Sequence, residues 1–238
     1  MNKNIDATMR KASILVDALP YLRDFRNKII VVNYLCSDLL SPAQEQEIMR
    51  DITILHSVGM KPVIVHSTRM GADKFRENKR IAKLVEFCGV KAIGVCGIDA
   101  QTLQITIENN YIPVICPNDI DTEYVYLDPM DTAREVAELL HAEKLIYLGD
   151  FEGLTSEDGS HIYSMTETEL KNHLDARKMD QHLQLALCNA VIGLDNGLPR
   201  VHILDGRIEH ALLLELFSKI GVGTVFMSDA RIMYPHEQ

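Results

Sequence analysis

The sequence of 238 residues contains no tryptophan and only five cysteines, none of them paired at CxxC spacing. A zinc knuckle or a disulfide framework is therefore not indicated. Four of the cysteines are interpreted as small buried hydrophobic residues, and the compartment predicted for such a chain is the reducing cytoplasm. No apolar run approaches the ~20 residues of a membrane-spanning helix, so no membrane association is expected.

Positive charge is in deficit, because 24 lysines and arginines face 34 aspartates and glutamates and the formal net charge is -10. Nucleic acids attract basic surfaces, so no nucleic-acid partner is predicted. The nine histidines include no pair four residues apart on one helix face, so no metal site is predicted. Neither a P-loop nor a G-x-S-x-G nucleophile elbow is present.

The chain does contain apolar runs that alternate with segments of helical period. Strands are predicted at Lys28–Asn33, Pro62–His66, Ala92–Val95, Ile112–Cys116, Glu123–Leu127, Lys144–Gly149, Arg200–Leu204 and Gly223–Phe226. Helices are predicted at Gln44–Val58, Lys74–Phe87, Gln101–Asn109, Thr132–Leu140, Thr166–Asn196 and His210–Ile220. Asp158-Gly159 marks the tip of a predicted hairpin.

This alternation predicts a mostly parallel sheet with helices on both faces. Ligands of such sheets bind at the carboxyl ends of the strands. Candidate functional residues are therefore expected in the loops that follow Asn33, His66 and Gly149.

The first 25 residues carry an apolar stripe at helical spacing, ahead of the first strand. Its members are Met9, Ala12, Leu15, Ala18, Leu19 and Leu22, and Pro20 is expected to kink or split the helix. Two interpretations stay open. The helix either packs on its own domain or forms an arm that docks on another subunit.

Three stretches resemble the N-acetylglutamate kinases of the amino acid kinase family. They are "ALPYLRDFRNKIIVVNY" (Ala18–Tyr34), "NNYIPVICP" with "DTAREVAELLHAEKLIYLGDFEGL" (Asn109–Pro117 and Asp131–Leu154), and "RVHILDGRIEHALLLELFSKIGVGT" (Arg200–Thr224). The resemblance implies a three-layer α/β/α sandwich. It also implies a helical arm at 1–26, a shortened N-lobe for the acyl acceptor at 27–120, and a C-lobe for ATP at 121–238.

The resemblance further implies catalytic lysines and two glycine-rich turns that hold phosphates during transfer from ATP to a carboxylate. The lysine of the first strand matches Asn33, and the glycine pair after it matches Leu35 and Cys36. The second turn, a histidine followed by three glycines, matches His66 and Ser67–Arg69, where only the histidine remains. As an alternative, Arg69 could supply the charge of a lost lysine.

The second lysine matches Ala186, with Lys178 as its replacement only if the helix is shifted. A family asparagine matches Pro129. The aspartate that orients the lysines matches Asp150, and Asp150 with Gly153 is the retained part of the implied nucleotide site. No cofactor is expected, and ATP with magnesium is kept as an alternative.

Two family segments are also missing from the N-lobe. Only Ser67–Lys91 joins the second and third strands, where the family carries an acceptor-binding loop and a helix. A further hairpin is absent between "GVCGIDAQ" and "NNYIPV". The pocket for N-acetylglutamate is therefore expected to be mostly lost.

The C-terminal stretch matches the signature of arginine-inhibited members of the family. The resemblance implies an arginine effector site formed by Tyr21 from the arm and by His210, Glu215, Gly221 and Gly223. A cationic amino acid would meet the carboxylate of Glu215. The alternative is that these residues only pack the C-lobe.

The sequence thus predicts an acetylglutamate-kinase-like protein that has lost phosphoryl transfer and acts as a regulatory or scaffolding subunit in arginine biosynthesis. Its expected partners are other copies of the chain, as a dimer or a hexamer, together with arginine or an intact acetylglutamate kinase. Two alternatives remain: a divergent enzyme of the family acting on another small acidic substrate or a nucleotide, and a binding module for an unrelated metabolite.

Overall fold

The computed structural model describes residues 16, 18–35, 38–69, 71–117, 127–176, 179–218 and 221–230. An eight-stranded sheet forms its centre. Its strands are β1 (Ile29–Tyr34), β2 (Lys61–His66), β3 (Ala92–Cys96), β4 (Ile112–Cys116), β5 (Lys144–Gly149), β8 (Ser164–Thr166), β9 (Arg200–Asp205) and β10 (Thr224–Met227). A separate hairpin consists of β6 (Leu154–Thr155) and β7 (His161–Ile162).

Helices connect these strands. They are α1 (Pro42–Ser57), α2 (Lys74–Phe87), α3 (Ala100–Glu108), α4 (Pro129–Leu139), α5 (Glu167–Ala176), α6 (Gln181–Asp195) and α7 (Ala211–Phe217). Residues 18–24 are also helical, and a turn at 25–27 leads from them towards β1. No helix within the described ranges is both long and apolar enough to cross a membrane.

The strand order in the sheet is β3-β4-β2-β1-β5-β9-β10-β8. All neighbours are parallel except β9 and β10, which run antiparallel. The predicted α/β/α sandwich is therefore confirmed. Because β2, β1, β5 and β9 are adjacent and parallel, their carboxyl ends form one continuous edge, and the loops that follow Asn33, His66 and Gly149 meet there.

Each face of the sheet is covered by its own hydrophobic core. Ile30 and Val32 of β1 contribute to the core beneath α1, α2 and α7, and Val31 contributes to the core beneath α3, α4 and α6. Successive residues of a strand point to opposite faces, so an unbroken apolar run suits a strand that is buried on both sides.

The helix starts follow local signals. Ser41 caps α1 in a capping box with Gln44, and Pro42 occupies the first turn. Asp128 caps α4 through the N–H groups of Met130 and Asp131. These caps place both helices two to three residues earlier than predicted.

Two predicted helices differ from the structure, and one predicted strand lies almost wholly outside the described residues. The single helix Thr166–Asn196 is wrong, because α5 ends at Ala176 and α6 begins afresh at Gln181 with Asp180 as its N-cap. The helix predicted to reach Ile220 ends at Phe217, where Ser218 is extended. Of the predicted strand Glu123–Leu127, residues 123–126 lie outside the described part, and Leu127 is not in a strand.

The hairpin at Asp158-Gly159 is confirmed: β6 and β7 pair antiparallel, and Gly159 has a φ of 82°. The interpretation of the cysteines as buried is wrong for most of those described. Cys116 is buried, whereas Cys96 and Cys188 are exposed and Cys88 is intermediate.

The apolar stripe of the N-terminal segment is described only in part. Met9, Ala12 and Leu15 lie outside the described residues. Leu19 is 57% exposed, whereas Tyr21 and Phe25 are buried in the core beneath α1, α2 and α7. The last turns of this segment therefore belong to the domain itself.

Candidate functional site

The carboxyl end of β1 carries Asn33, the position that the resemblance assigns to a catalytic lysine. Its side chain is fully buried, and Nδ2 donates a hydrogen bond of 3.0 Å to the carbonyl oxygen of Val65 in β2. Its Oδ1 has no hydrogen-bond partner among the described residues. Asn33 thus links two strands and offers no positive charge to a phosphate group.

The loop after β1 uses its backbone internally. Leu35 packs against the core, and its N–H donates a hydrogen bond of 2.9 Å to the carbonyl oxygen of Leu148 in β5. Cys36, the other position of the implied glycine pair, lies outside the described residues. A phosphate-binding turn needs N–H groups that point at the ligand, and the N–H of Leu35 points at a strand instead.

His66, the last residue of β2, makes hydrogen bonds within the protein. His66 is fully buried; its Nδ1 lies 2.8 Å from the carbonyl oxygen of Ser67, and its Nε2 lies 3.1 Å from Nδ2 of Asn78. Burial lowers its pKa, so the ring is neutral at physiological pH. Nδ1–H then donates to Ser67, and Nε2 accepts from the Asn78 amide.

Five side chains from four elements meet beside these loops in what we call the arginine–glutamate cluster: Tyr34, Glu45, Arg69, Glu77 and Arg80. Both oxygens of Glu45 are bound. The Tyr34 hydroxyl donates to Oε1 over 2.7 Å, Arg80 donates to Oε1 and Oε2 over 2.8 and 2.9 Å, and Arg69 lies 2.7 Å from Oε2. Arg80 also donates two hydrogen bonds to Glu77, of 2.7 and 2.9 Å.

The charges of this cluster balance. Burial disfavours ionisation of Glu45, but hydrogen bonds from Arg80, Tyr34 and Arg69 outweigh it, so the pKa of Glu45 lies below its usual value. Hydrogen bonds to Glu77 and Glu45 outweigh burial and raise the pKa of Arg80. The positive charge of Arg69, the candidate replacement for the family lysine, is compensated by the carboxylates of Glu45, 2.7 Å away, and of Glu77, 3.7 Å away.

Another cation at the same edge is also paired. Arg207 follows β9, and its guanidinium lies 2.8 Å from Asp205 and 3.3 Å from Glu152. A nucleotide phosphate at this edge would therefore compete with carboxylates for each of these guanidinium groups.

Asp150, the position that the resemblance assigns to the orienting aspartate, lies close to a histidine. Its Oδ1 lies 3.3 Å from Nδ1 of His182, whose ring stacks on Phe151 with centroids 5.1 Å apart. His182 lies one helical turn before Ala186, on the same side of α6. The sequence contained a signal for His182, because this titratable residue lies one turn from Ala186, the position that the resemblance assigns to a lysine, but His182 was not among the predicted site residues.

The other implied nucleotide-lobe positions carry no cation. Ala186 is fully buried in α6, and Pro129 occupies the first turn of α4. Lys178 lies outside the described residues. Gly153 has a φ of 82°, and a Cβ there would overlap the ring of His161, so the turn requires glycine for its own geometry.

Glu215, the predicted arginine-binding carboxylate, is buried and has protein partners. Its Oε1 lies 2.7 Å from Nδ1 of His202, and its Oε2 accepts hydrogen bonds from the N–H groups of Val222 and Gly223 over 2.9 and 3.1 Å. These bonds outweigh burial and lower the pKa of Glu215. Nε2 of His202 in turn lies 3.4 Å from Nζ of Lys144.

The two glycines of the signature have steric reasons in the structure. A Cβ at Gly221 would overlap the carboxylate of Glu215, and a Cβ at Gly223 would overlap the carbonyl oxygen of Ile203. The contacts around Glu215 therefore account for all three residues as packing. The effector site remains a prediction for Glu215, Gly221 and Gly223.

Tyr21 lies on the same side of the sheet as Glu215. Its ring packs against Phe25, with centroids 6.5 Å apart, and Nζ of Lys144 lies 4.7 Å from the centroid of Phe25. Since Lys144 also meets His202, a continuous set of contacts leads from Tyr21 to Glu215. Lys144 and His202 are members of this set that the sequence did not reveal.

His210 belongs to a different group of contacts. It adopts a left-handed backbone with a φ of 58°, and its Nδ1 lies 2.9 Å from Oδ1 of the buried Asp51 in α1. Its Nε2 lies 3.9 Å from Glu47 and 3.8 Å from Glu209. Glu47, Glu209 and His210 line a pocket of about 440 Å³ between α1 and the loop before α7.

The carboxylates that face His210 favour its charged form. The hydrogen bond to Asp51, with the charges of Glu209 and Glu47, raises the pKa of His210 despite the cost of burial. Glu47, Glu209 and His210 are residues of metal-ligand type and lie close together.

Sequence comparison places the chain among known proteins. The model of the amino acid kinase family matches residues 82–187. The acetylglutamate kinase of Thermoanaerobacter pseudethanolicus is 31% identical over 276 aligned positions, which cover 90% of this chain and 92% of the relative. That of Campylobacter jejuni (strain RM1221) is 29% identical over 274 positions, with 91% and 98% covered.

Both alignments are longer than the whole chain of 238 residues. The relatives therefore contain residues that have no counterpart here, as expected for a chain with missing segments.

Solved structures of low sequence identity share the fold. The N-acetylglutamate synthase of Neisseria gonorrhoeae, complexed with coenzyme A and N-acetyl-glutamate, superposes with a TM-score of 0.81 at 20% identity. The match covers 92% of this chain but only 64% of the synthase chain. The same synthase complexed with coenzyme A and L-arginine gives a TM-score of 0.75, also at 20% identity, and the match covers 65% of that chain.

Proposed function

The chain belongs to the amino acid kinase family and is similar to its acetylglutamate kinases, and from this premise we propose that it has lost phosphoryl transfer and acts as a regulatory or scaffolding subunit. The observation that carries the proposal is the charge balance at the carboxyl edge of the sheet. Asn33 is neutral, and Arg69, Arg80 and Arg207 are each held by carboxylates of the chain itself.

Phosphoryl transfer needs positive charge at the transferred group and N–H donors around it, since catalysis there consists mainly of positioning and charge stabilisation. The N–H of Leu35 donates to β5, so the loop after β1 does not offer this donor to a phosphate. The arginines at the carboxyl edge of the sheet are paired with carboxylates, so their positive charge is already compensated. Support for a regulatory role comes from the better preservation of the C-terminal signature than of these loops.

We further propose L-arginine as the effector. The neisserial synthase of the same fold is known in complex with L-arginine. In this chain the carboxylate of Glu215 is hydrogen-bonded to His202 and to the N–H groups of Val222 and Gly223. A guanidinium group could bind Glu215 only by displacing one of these partners, so binding would move the 221–223 segment or β9. Such coupling between a ligand and a packed segment is the basis of a regulatory signal.

The arginine proposal is tested by calorimetry and by melting temperature. We expect heat and a rise in melting temperature at millimolar L-arginine, and weaker binding by Glu215→Gln, because the charge is lost while the shape stays. Lysine should bind less well than arginine, because an ammonium group cannot form the planar fork.

The matched control is Glu135→Gln, since Glu135 lies in α4 on the other face of the sheet, is 52% exposed and pairs with Arg134. This variant should bind arginine as the wild type does. A wild-type chain that shows neither heat nor a thermal shift would remove arginine from the proposal and leave the signature as packing.

Assembly is the remaining part of the proposal: a homodimer, with the N-terminal arm joining dimers into a hexamer, or a complex with an intact acetylglutamate kinase. Val16 and Leu19 expose 62% and 57% of their surfaces, as an arm that meets another subunit would. Tyr21 and Phe25 must be kept in any test, because they belong to the core.

A chain that starts at Ala18 and carries Leu19→Glu should therefore fold normally but form a smaller oligomer in light scattering. The control is the full-length chain with Arg23→Glu, since Arg23 is 76% exposed and polar in the wild type. Equal subunit numbers for the wild type and the truncated variant would assign the segment to local packing alone.

One observation favours a divergent enzyme as the second candidate. Asp150 and His182 form a pair at the carboxyl edge in which each side chain is 44% exposed, and Phe151 stacks on the histidine. An exposed carboxylate–imidazole pair can accept and donate a proton. Titration with ATP and magnesium tests this candidate, since nucleotide binding that is lost in His182→Ala would favour it.

A further inference from the structure

The donors of the arginine–glutamate cluster surround the Glu45 carboxylate as the donors of an anion-binding site surround a bound anion. Glu45 is 2% exposed, and each of its oxygens receives two donors: Tyr34 and Arg80 at Oε1, and Arg69 and Arg80 at Oε2. The contact with Arg80 is bidentate, the geometry by which guanidinium groups recognise carboxylates and phosphates. An external oxyanion held by these groups would be coordinated in the same manner.

The cluster lies where the fold places ligands. Tyr34 is the last residue of β1, directly after Asn33, and Arg69 follows the end of β2. Glu45 belongs to the first turn of α1, the helix that the β1 loop leads into. The anion site thus occupies the carboxyl edge of the sheet, and its occupant is supplied by the chain.

We propose that Glu45 is the tethered occupant of an oxyanion site formed by Arg69, Arg80 and the Tyr34 hydroxyl, which keeps this site closed to free oxyanions in the wild-type chain. This site lies at the carboxyl edge of the sheet and is separate from the C-terminal signature. The inference therefore goes beyond the proposed function and does not depend on which ligand the signature binds. It predicts that removal of the Glu45 side chain creates a binding site for a small carboxylate or phosphate.

Tethering explains why a free anion cannot displace Glu45. A carboxylate on the same chain binds without the loss of translational freedom that an external ligand must overcome. The remaining charges define the ligand that fits after its removal. Arg69 and Arg80 then face Glu77 alone, which leaves one uncompensated positive charge and favours a monoanion.

The decisive variant is Glu45→Ala, which deletes one CH₂ group and the carboxylate. Acetate has the same carbon skeleton and the same charge as the deleted atoms. We expect Glu45→Ala to melt below the wild type, and acetate to raise its melting temperature by about 3–6 °C for each tenfold increase above the dissociation constant. Sodium chloride at equal ionic strength should not substitute, and phosphate in a parallel titration distinguishes the two oxyanion sources.

Two controls separate site filling from a general salt effect. Glu47→Ala removes a carboxylate from the same helix whose side chain is 38% exposed, and its melting temperature should not respond to acetate. Glu45→Gln keeps the shape and loses the charge. It should melt below the wild type without acetate rescue, because the amide still fills the site.

The outcomes decide between clear alternatives. Selective rescue of Glu45→Ala by acetate or by phosphate supports the proposal and names the preferred oxyanion. If Glu45→Ala does not fold in chloride, it should fold when acetate or phosphate is present during refolding. A variant that responds to neither anion, folded or unfolded, overturns the proposal, as does a wild-type chain that acetate stabilises to the same extent.

Discussion

Replacement of Arg80 by methionine should lower the free energy of unfolding by about 3 kcal/mol, the lower end of the range expected when a buried ion pair loses one partner, because the Arg80 side chain is itself 32% exposed. Arg80 is the member of the arginine–glutamate cluster that binds both carboxylates. Glu45 and Glu77 have side chains only 2% and 6% exposed, so both would stay desolvated. Arg69 still reaches both glutamates, which favours the lower end of the range.

The matched control is Lys83→Met in the same helix, because Lys83 is 61% exposed and pairs with the exposed Glu86. Exposed pairs of this kind contribute about 0–1 kcal/mol. Denaturant unfolding of both variants measures the difference. Equal losses for Arg80→Met and Lys83→Met would show that the cluster is an ordinary surface network.

The effect of Arg80→Met should also depend on pH, with a definite sign. The pKa of Glu45 is lowered in the folded chain, so its pairing stabilises the fold fully above the ordinary carboxyl value and loses that contribution as the pH falls through the lowered value. The difference in stability between wild type and variant should therefore be constant near neutrality and shrink in the acid range below about pH 4.

Restoring the lysine of the first strand by Asn33→Lys should not restore phosphoryl transfer and should destabilise the chain by about 2–4 kcal/mol. Asn33 is fully buried, and its amide donates to Val65, so the substitution removes a buried hydrogen bond and places an ammonium group in the core. The glycine turns are still missing, and Leu35 keeps its N–H on β5.

A coupled assay with ATP and N-acetylglutamate measures this, with an intact acetylglutamate kinase as the positive control. The wild type and Asn33→Lys should both show background rates. Turnover near the ~10 per second that is typical of enzymes, in either protein, would contradict the loss of chemistry. Asn33→Ser, which stays short and neutral, separates the stability effect of a buried charge from that of the lost amide.

The sequence alone determined the architecture and the family. The strands were predicted from unbroken β-branched runs with glycine and proline at their ends, and the helices from the helical period of their apolar residues. These are local signals, and the alternation of strands and helices predicts the parallel sheet. The quoted stretches predicted the family, and the sequence shows directly that Asn33, Leu35 and Ser67–Arg69, the positions that the resemblance assigns to lysine and glycine, hold neither residue type. Local reading failed where the helical period runs on between α5 and α6, because the cap at Asp180 weighs little against a long apolar pattern.

The tertiary structure decided which charges meet. Glu45 and Arg80 are 35 residues apart, and their contact depends on how α1 and α2 pack over β1 and β2. In the same way, the packing of α7 against β9 gives Glu215 its partner His202, whereas His210, at the left-handed turn before α7, meets Asp51 instead. A charged side chain acts through atoms within a few ångströms, and sequence spacing does not report such distances between elements that only folding brings together.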